Sequence, residues 1–271
     1  MKNLSDNKPL VSLITICFNS EATIKDTINS VISQDYTNLE YILIDGESKD
    51  GTISIINSFE PLFQEKDISY RYISEADNGL YDAMNKGIKL ATGSIVGIIN
   101  SDDFYSSPQV ITKIVNLLSG NSNAQSVYAD LVYVDADDTN KIIRYWKSGS
   151  YKKYNFYFGW MPPHPTFFVK KEVYDKYGYF NTGLRQSADY EIMLRFLLGN
   201  EISVIYLPEI IIKMRTGGTS NVTLSNRVRA NNEDKIAWKI NGIKPYFFTL
   251  WMKPLRKIIQ FIRPLYIKNL F

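Results

Sequence analysis

Ile95-Val96-Gly97-Ile98-Ile99-Asn100-Ser101-Asp102-Asp103 is an apolar run that ends abruptly in two carboxylates. The run reads as a buried strand, and its polar end falls where an open α/β sheet binds ligands, at the carboxyl ends of its strands. Adjacent hard oxygen ligands there suit Mg2+ or Mn2+ carrying a substrate diphosphate. Taken alone, the same four polar residues also suit an ordinary loop, with Ser107 and Pro108 capping the helix that follows.

Upstream, Leu10–Ile16, Tyr41–Ile44 and Ile68–Ile73 have the same apolar strand character. They alternate with helical patterns: one capped by Ser20 with Ile24, Ile28, Val31 and Ile32 on a single face, one from about Asp50 to Phe59, and one from about Leu80 to Leu90. Repeated βα units imply a parallel sheet. After Pro108 the pattern changes. Gln125–Ala129, Leu131–Val134 and Lys141–Trp146 read as strands, the last two joined by the acidic turn Asp135–Asn140, so the second half of the sheet is expected to be mixed. Residues 147–165 are rich in Tyr, Phe, Trp and Pro and read as a covered sheet edge or an acceptor-facing loop. A strand at Thr166–Val169, a short helix to Tyr177 and a helix over Ala188–Leu198 capped by Ser187 complete the pattern.

The chain has 271 residues, 45% of them hydrophobic and 22% charged, enough to bury a full α/β core. A net charge of +3 does not point to nucleic acid, because the cations are spread along the chain except near its end. The single cysteine, Cys17, excludes a disulfide framework or cysteine zinc site and fits a reduced, cytoplasmic setting. Met1–Lys8 is polar rather than signal-like, and no run reaches the roughly 18 apolar residues of a membrane span.

The remaining strand ends are polar as well. The first leads into Cys17-Phe18-Asn19-Ser20 and the second into Asp45-Gly46-Glu47-Ser48-Lys49-Asp50-Gly51-Thr52. A carboxylate in such a loop can accept the N3 hydrogen of a uracil or thymine ring, and Phe18 offers an apolar face to the base. Turn formation and helix capping account equally well for these acids, and better for Asp50. In Glu75-Ala76-Asp77-Asn78-Gly79-Leu80-Tyr81-Asp82-Ala83-Met84-Asn85-Lys86-Gly87, the residues Asp77, Asn85 and Lys86 are candidates for the wall of a nucleotide pocket. His164, the only histidine, sits between prolines that would aim its ring at a diphosphate or metal.

Together, Val11–Asn19, Ile44–Thr52, Asn78-Gly79 with Asn85-Lys86-Gly87, Asn100–Asp103, and Ala188-Asp189-Tyr190-Glu191 with Leu194-Arg195 resemble glycosyltransferase family 2, over roughly residues 9–215. Within that family the chain is similar to bacterial enzymes building O-antigen, capsule and other surface polysaccharides, which often carry a segment like Tyr81–Gly87. The resemblance implies the GT-A fold, a Rossmann-like, mostly parallel central sheet flanked by helices. It divides the domain over 1–215 into a nucleotide-sugar half at about 9–105 and a mixed-sheet acceptor half at about 106–215, with a C-terminal helical extension over 216–271.

Carried over by position, the resemblance makes Asp45 the carboxylate that reads uracil, with Cys17, Phe18, Asn19, Asp77, Asn85, Lys86 and Ser101 around the nucleotide. Asn100–Asp103 matches the Asp-X-Asp metal motif with Asn100 in its first place, so Asp102 holds Mn2+ or Mg2+ with Asp103 beside it. Glu47 stands where the family more often has glycine. Asp189 matches the catalytic base, and Asn100, Glu47, Trp160 and His164 are secondary donor or acceptor contacts. A base is required because an acceptor hydroxyl must lose its proton as it attacks the anomeric carbon. A helix-start Asp that merely binds free N–H groups would look the same in sequence. The implied reaction is inverting, metal-dependent transfer from a nucleotide sugar, chiefly a UDP-sugar, to a glycan or polyprenyl-diphosphate-linked oligosaccharide. A non-catalytic nucleotide-binding scaffold is the alternative, favoured by Asn100 and opposed by Asp102, Asp103 and Asp189. A sugar-nucleotide pyrophosphorylase fits less well, because Cys17–Glu21 contains neither glycine nor a basic residue.

Lys244–Lys268 contains Lys244, Lys253, Arg256, Lys257, Arg263 and Lys268 and no acid. Trp251, Leu255, Ile258, Ile259 and Ile262 recur at helical spacing. The pattern suits an interfacial helix broken by Pro254 and Pro264, lying on an anionic membrane at the inner face of the cytoplasmic membrane, or a helix packed on the protein.

Overall fold

The structure is a computed structural model that describes residues 8–217 and 224–262. Its strands are β1 (Val11–Cys17), β2 (Leu39–Asp45), β3 (Ser69–Ser74), β4 (Ile95–Asn100), β5 (Asp103–Tyr105), β6 (Ser126–Val134), β7 (Ile142–Trp146), β8 (Phe168–Lys170) and β9 (Val204–Arg215). The helices are α1 (Ile24–Ile32), α2 (Thr52–Ser58), α3 (Glu60–Glu65), α4 (Leu80–Leu90), α5 (Val110–Gly120), α6 (Lys171–Tyr177), α7 (Ala188–Met193), α8 (Leu224–Ile240) and α9 (Thr249–Ile262). One sheet runs β3-β2-β1-β4-β8-β6-β9-β5, with β7 also paired to β6. The first four strands are parallel, as repeated βα units require. Beyond β4, antiparallel pairs enter at β8, β7 and β5, giving the expected mixed half.

Every residue of β1 and β2 is buried, because helices cover both faces of the sheet. Ile14, Ile16, Ile42 and Ile44 pack into the core on one face, while Leu13, Tyr41 and Leu43 pack into the other. Full burial of each such side chain contributes about 1.5–3 kcal/mol. The parallel register sets Cys17 beside Asp45, Ile16 beside Asn100 and Asp45 beside Ser74, which gathers the polar strand ends along one edge.

Several local expectations are corrected. Residues 125–134 form one strand from Ser126, not two, because Asp130 accepts hydrogen bonds from Tyr145 Oη (2.6 Å), Tyr206 Oη (2.8 Å) and the Ser148 amide (2.7 Å) and is buried without an unmet charge. β9 carries no clear alternation because Pro208 and Glu209 interrupt it. The register beside β6 steps from Leu207 to Ile210 and accommodates them as a bulge. The Asp50–Phe59 helix is instead α2 followed by α3, and Thr166–Val169 divides into a 3-10 turn at His164–Thr166 and β8. The helix after Met193 continues as a π-helix, Leu194–Gly199. Ser20 does not cap α1: Thr23 occupies that position, and the Ser20 hydroxyl lies 2.8 Å from that of Ser101. Gln109, not Ser107 or Pro108, precedes α5.

At the C-terminal end, Pro254 lies inside α9 without breaking it. The proline is exposed, while Leu250 packs against the core and holds the turn in place. Gly159 permits this seating: its φ is +73°, and a Cβ there would lie 2.3 Å from the Lys253 amide nitrogen. Arg263, Pro264 and Lys268 lie outside the described residues, as does most of Met1–Lys8. Among the described residues, no helix is long and apolar enough to cross a membrane.

Candidate active site

The ends of β1, β2 and β3 build a tight polar corner. Asp45 is fully buried. Its carboxylate accepts from the Ser48 amide (2.9 Å), the Ser48 hydroxyl (2.5 Å), the Ser74 hydroxyl (2.7 Å) and Cys17 Sγ (3.6 Å). Those contacts fill the roughly four acceptor positions of a carboxylate. Asp45 therefore organises the loop, with its carboxylate engaged by its own neighbours. Cys17 is likewise structural: its thiol is buried, and burial beside Asp45 pushes its pKa far upward.

What lies open beside this corner is Phe18, 62% exposed, and the partly exposed Asp77. A Cβ at Gly46 would lie 2.7 Å from Asp77 Oδ2 and 3.4 Å from the Phe18 ring, so these groups share one small space over the glycine. Asp77 Oδ1 accepts from the Gly79 amide at 2.7 Å. Asn19 and Glu47 shape the rim in left-handed conformations, with φ of +47° and +67°. The Asn19 amide donates to the Ser48 hydroxyl, and its side-chain oxygen accepts from the Lys49 amide. Glu47 pairs with Lys49 at the surface, and its positive φ is a conformation that glycine adopts without a Cβ penalty.

Two further candidates, Asn85 and Lys86, come from the Tyr81–Gly87 segment. Asn85 is buried and exchanges both amide hydrogen bonds with the backbone of Phe180, each 2.9 Å. Lys86 donates to the Ala76 carbonyl at 3.0 Å and pairs with Glu75 at 2.8 Å. Each braces a loop, and the Lys86 charge also acts on Asp77. Their amphipathic spacing in α4 carried no sign of those partners.

At the end of β4, the Asn100 amide donates to Asp103 Oδ2 at 3.2 Å, while Asp103 Oδ1 is buried with no hydrogen-bond partner. Burial pushes the Asp102 carboxyl above its usual range, and the Asp103 carboxyl well above it with Asp102 adding to the effect. Arg215, at the end of β9, donates to the Asp102 carbonyl at 2.9 Å and pairs with Asp26. It is a positioning residue that could not be found without the β9 register. Among the described residues, no cluster of three or more His, Cys, Asp or Glu side chains gathers as a closed metal cage. The Asp102–Asp103 pair nevertheless fits Mg2+ or Mn2+, which keep several positions for water and phosphate and need only one or two carboxylates. The unpartnered Asp103 Oδ1 is a hard oxygen of the kind these cations take.

Asp189 stands in the first turn of α7. Its Oδ1 accepts from the Tyr190 amide (2.8 Å), one of the free N–H groups of the helix start, and from the Tyr81 hydroxyl (3.2 Å). Burial, followed by the Asp189 charge, holds Tyr81 protonated, so it stays a donor. Tyr81 is thus a positioning group from the parallel half, overlooked although its segment had been marked. Ser187 occupies the cap position but donates to the Ala230 carbonyl at 3.1 Å. Glu233 of α8 takes over the anchoring, accepting from the amides of Gln186 (2.7 Å) and Ser187 (3.1 Å). One turn further, Glu191 and Arg195 form a buried bidentate pair at 3.0 and 2.9 Å.

Asp189 and Asn100 line one cavity of about 250 Å3, together with Tyr81, His164, Trp160 and residues of α9. The parallel and mixed halves of the sheet meet there. His164 packs edge-on against Phe180, and burial lowers its pKa, leaving a neutral imidazole near pH 7. Trp160 donates to the Ser148 carbonyl at 2.7 Å and stacks on Tyr151, so it forms wall and not a reactive contact.

A family model described as glycosyl transferase family 2 matches residues 12–189. A glycosyltransferase of PGL/p-HBAD biosynthesis from Mycobacterium bovis (strain BCG / Pasteur 1173P2) is 25% identical over 214 residues, 79% of this chain and 80% of that protein. TuaG of Bacillus subtilis (strain 168), a glycosyltransferase named for teichuronic acid biosynthesis, is 36% identical over 96 residues, 35% of this chain and 37% of its own. Among solved structures, Staphylococcus aureus TarS 1-349 in complex with UDP superposes with a TM-score of 0.63 at 15% identity, covering 96% of this chain and 75% of that one. The Pyrobaculum calidifontis mannosyltransferase PcManGT with GDP-Man and Mn2+ superposes at 0.64 and 17% identity, covering 96% and 76%. These two likenesses establish the shared fold.

Proposed function

The chain belongs to glycosyl transferase family 2, and from that premise we propose that it is an inverting, metal-dependent transferase moving a sugar from a UDP-sugar to a hydroxyl of a surface-glycan acceptor. The observation that carries this reading is the shared cavity. Asp189 and Asn100, the residue that ends the strand before Asp102, face one cavity. Asn100 leads directly into the Asp102–Asp103 pair, and across the cavity Asp189 is held by Tyr81.

The acceptor hydroxyl gives its proton to Asp189 as it attacks the anomeric carbon, and the nucleoside diphosphate leaves from the opposite side. Inversion follows from the single displacement, with no covalent enzyme intermediate. Asp102, with Asp103 beside it, would hold Mn2+ or Mg2+, which when bound would supply charge stabilisation for the departing diphosphate. Lipid-linked acceptors at the inner face of the cytoplasmic membrane fit the outward surface of α9, where Trp251 and Leu255 are 72% and 53% exposed.

Within this reading, the base is recognised at Gly46, with Phe18 against the ring and Asp77 Oδ2 accepting the N3 hydrogen. Asp45 supports that pocket from below. Titration with UDP and GDP in Mn2+ is the test: UDP is expected to bind tighter, and Asp77→Asn to weaken UDP by about ten-fold with little effect on GDP. Preference for GDP, or an Asp77→Asn variant with wild-type UDP affinity, would remove Asp77 from base recognition.

Tyr81→Phe gives a finer test of the base. Loss of one hydrogen bond to a charged acceptor is expected to lower kcat by about ten-fold. UDP affinity and melting temperature should stay unchanged, whereas a purely structural tyrosine would alter the melt and spare kcat.

A further inference from the structure

The inward stripe of α8 is built the wrong way round for a helix that only packs. Glu233, Asp234, Ala237 and Trp238 are buried, whereas Ile236 and Ile240 are 44% and 51% exposed. A buried helix stripe normally carries apolar residues. Burying a carboxylate costs stability unless it is paired, and apolar residues of similar volume often fill such a place with no loss. What the two acids hold accounts for their presence.

They hold the turn on either side of Asp189. Ahead of it, Glu233 Oε2 accepts from the Gln186 and Ser187 amides at 2.7 and 3.1 Å, and the Ser187 hydroxyl donates to the Ala230 carbonyl. Behind it stands Tyr190, whose amide donates to Asp189 Oδ1. Trp238 Nε1 donates to the Tyr190 hydroxyl at 3.0 Å, and Lys253 Nζ lies 3.9 Å from the centre of its ring. Asp234 fixes that lysine, accepting from Nζ at 2.9 and 2.7 Å. Asn241 continues the grip one turn on, donating to Glu191 Oε1 at 3.2 Å. Neither Glu233 nor Asp234 lines the cavity, so both act through the residues they hold. All of these α8 and α9 groups lie beyond the span 12–189 that the family model matches.

We infer that Glu233 and Asp234 are positioning residues for the base. Glu233 fixes the turn that enters Asp189, and Asp234 fixes Tyr190 through Lys253, so one turn of α8 both seats α9 against the cavity and aims the carboxylate. The inference rests on Asp189 acting as the base in the reading above. Three forms of the full chain test it: Glu233→Ala, Glu233→Gln, and the apolar pair Asp234→Leu with Lys253→Met. The glutamine keeps an oxygen for the two amides. The apolar pair removes both charges together and is expected to melt at or above the wild-type temperature.

Exchange of the Tyr190 amide hydrogen, followed by NMR, needs no turnover. It is expected to quicken by about ten-fold in Glu233→Ala and in the apolar pair, and to return toward wild type in Glu233→Gln. For nucleoside diphosphate release, kcat should fall by about ten- to a hundred-fold in the same two forms, with the donor KM and UDP affinity in Mn2+ unchanged. Glu233→Gln should recover most of the rate. Wild-type exchange and kcat in the apolar pair, a Glu233→Gln form as slow as Glu233→Ala, or parallel loss of UDP affinity would overturn the inference, the last by giving α8 to donor binding. If Asp189→Asn transferred normally, the transferase reading would fail, while amide exchange would still decide whether α8 holds the Asp189 turn.

Discussion

Asp189→Asn is expected to lower sugar transfer by about 10²–10⁴-fold, the usual contribution of a positioned general base, with nucleotide affinity and melting temperature unchanged. The amide is nearly isosteric, and its oxygen still accepts from Tyr81 and the Tyr190 amide, the two donors that hold Asp189 in place. Only the ability to take a proton is removed. Nucleoside diphosphate release measures the rate, and UDP titration and a thermal melt report the controls. A variant that lost UDP affinity in parallel would assign Asp189 to donor binding instead.

Asp102→Asn should act on both binding and rate. Asparagine is a weaker ligand for a hard cation, so UDP affinity in Mn2+ is expected to fall toward the value in EDTA. Turnover should fall by about 10²–10³-fold, since charge stabilisation of a leaving diphosphate is worth several kcal/mol. Titration with and without Mn2+ separates this from misfolding, which would depress both values. UDP affinity equally dependent on Mn2+ in wild type and variant would take the metal away from Asp102.

The contrast between these variants follows from features the sequence carries plainly. A buried run that stops at a polar residue marks a strand end, and four of them made the parallel half and its site-bearing edge legible. Asp102 stands just past such an end, whereas Asp189 is singled out by the family resemblance, its helix-start position alone reading equally as a cap. Partners in three dimensions were not legible. Asp45 has the right type and position to read a base, yet two serines and Cys17 enclose it. Asn85 and Lys86 are consecutive polar residues of α4, and they answer to the Phe180 backbone and Glu75 on different sides of the helix. β9 was hidden by Pro208 and Glu209, and with it Arg215, whose hydrogen bond steadies the Asp102 loop.

Helix α9 shows the same limit from another direction. Its spacing separates apolar from basic residues, which establishes two faces without saying which is covered. Asp234 and Tyr190 decide the matter by drawing Lys253 inward, to 2.7 Å from the carboxylate and 3.9 Å from the ring centre. Lys253, Arg256 and Lys257 line the cavity, while Trp251 and Leu255 are on the exposed face.

The most direct measurement follows nucleoside diphosphate release from UDP-, dTDP- and GDP-sugars in Mg2+ or Mn2+. The acceptor is a polyprenyl-diphosphate-linked glycan fraction, and wild type is run beside Asp189→Asn. Metal-dependent release from a UDP-sugar by wild type, lost in the variant, is the expected result. Release from no donor, or an undiminished rate in Asp189→Asn, would contradict transfer by this cavity.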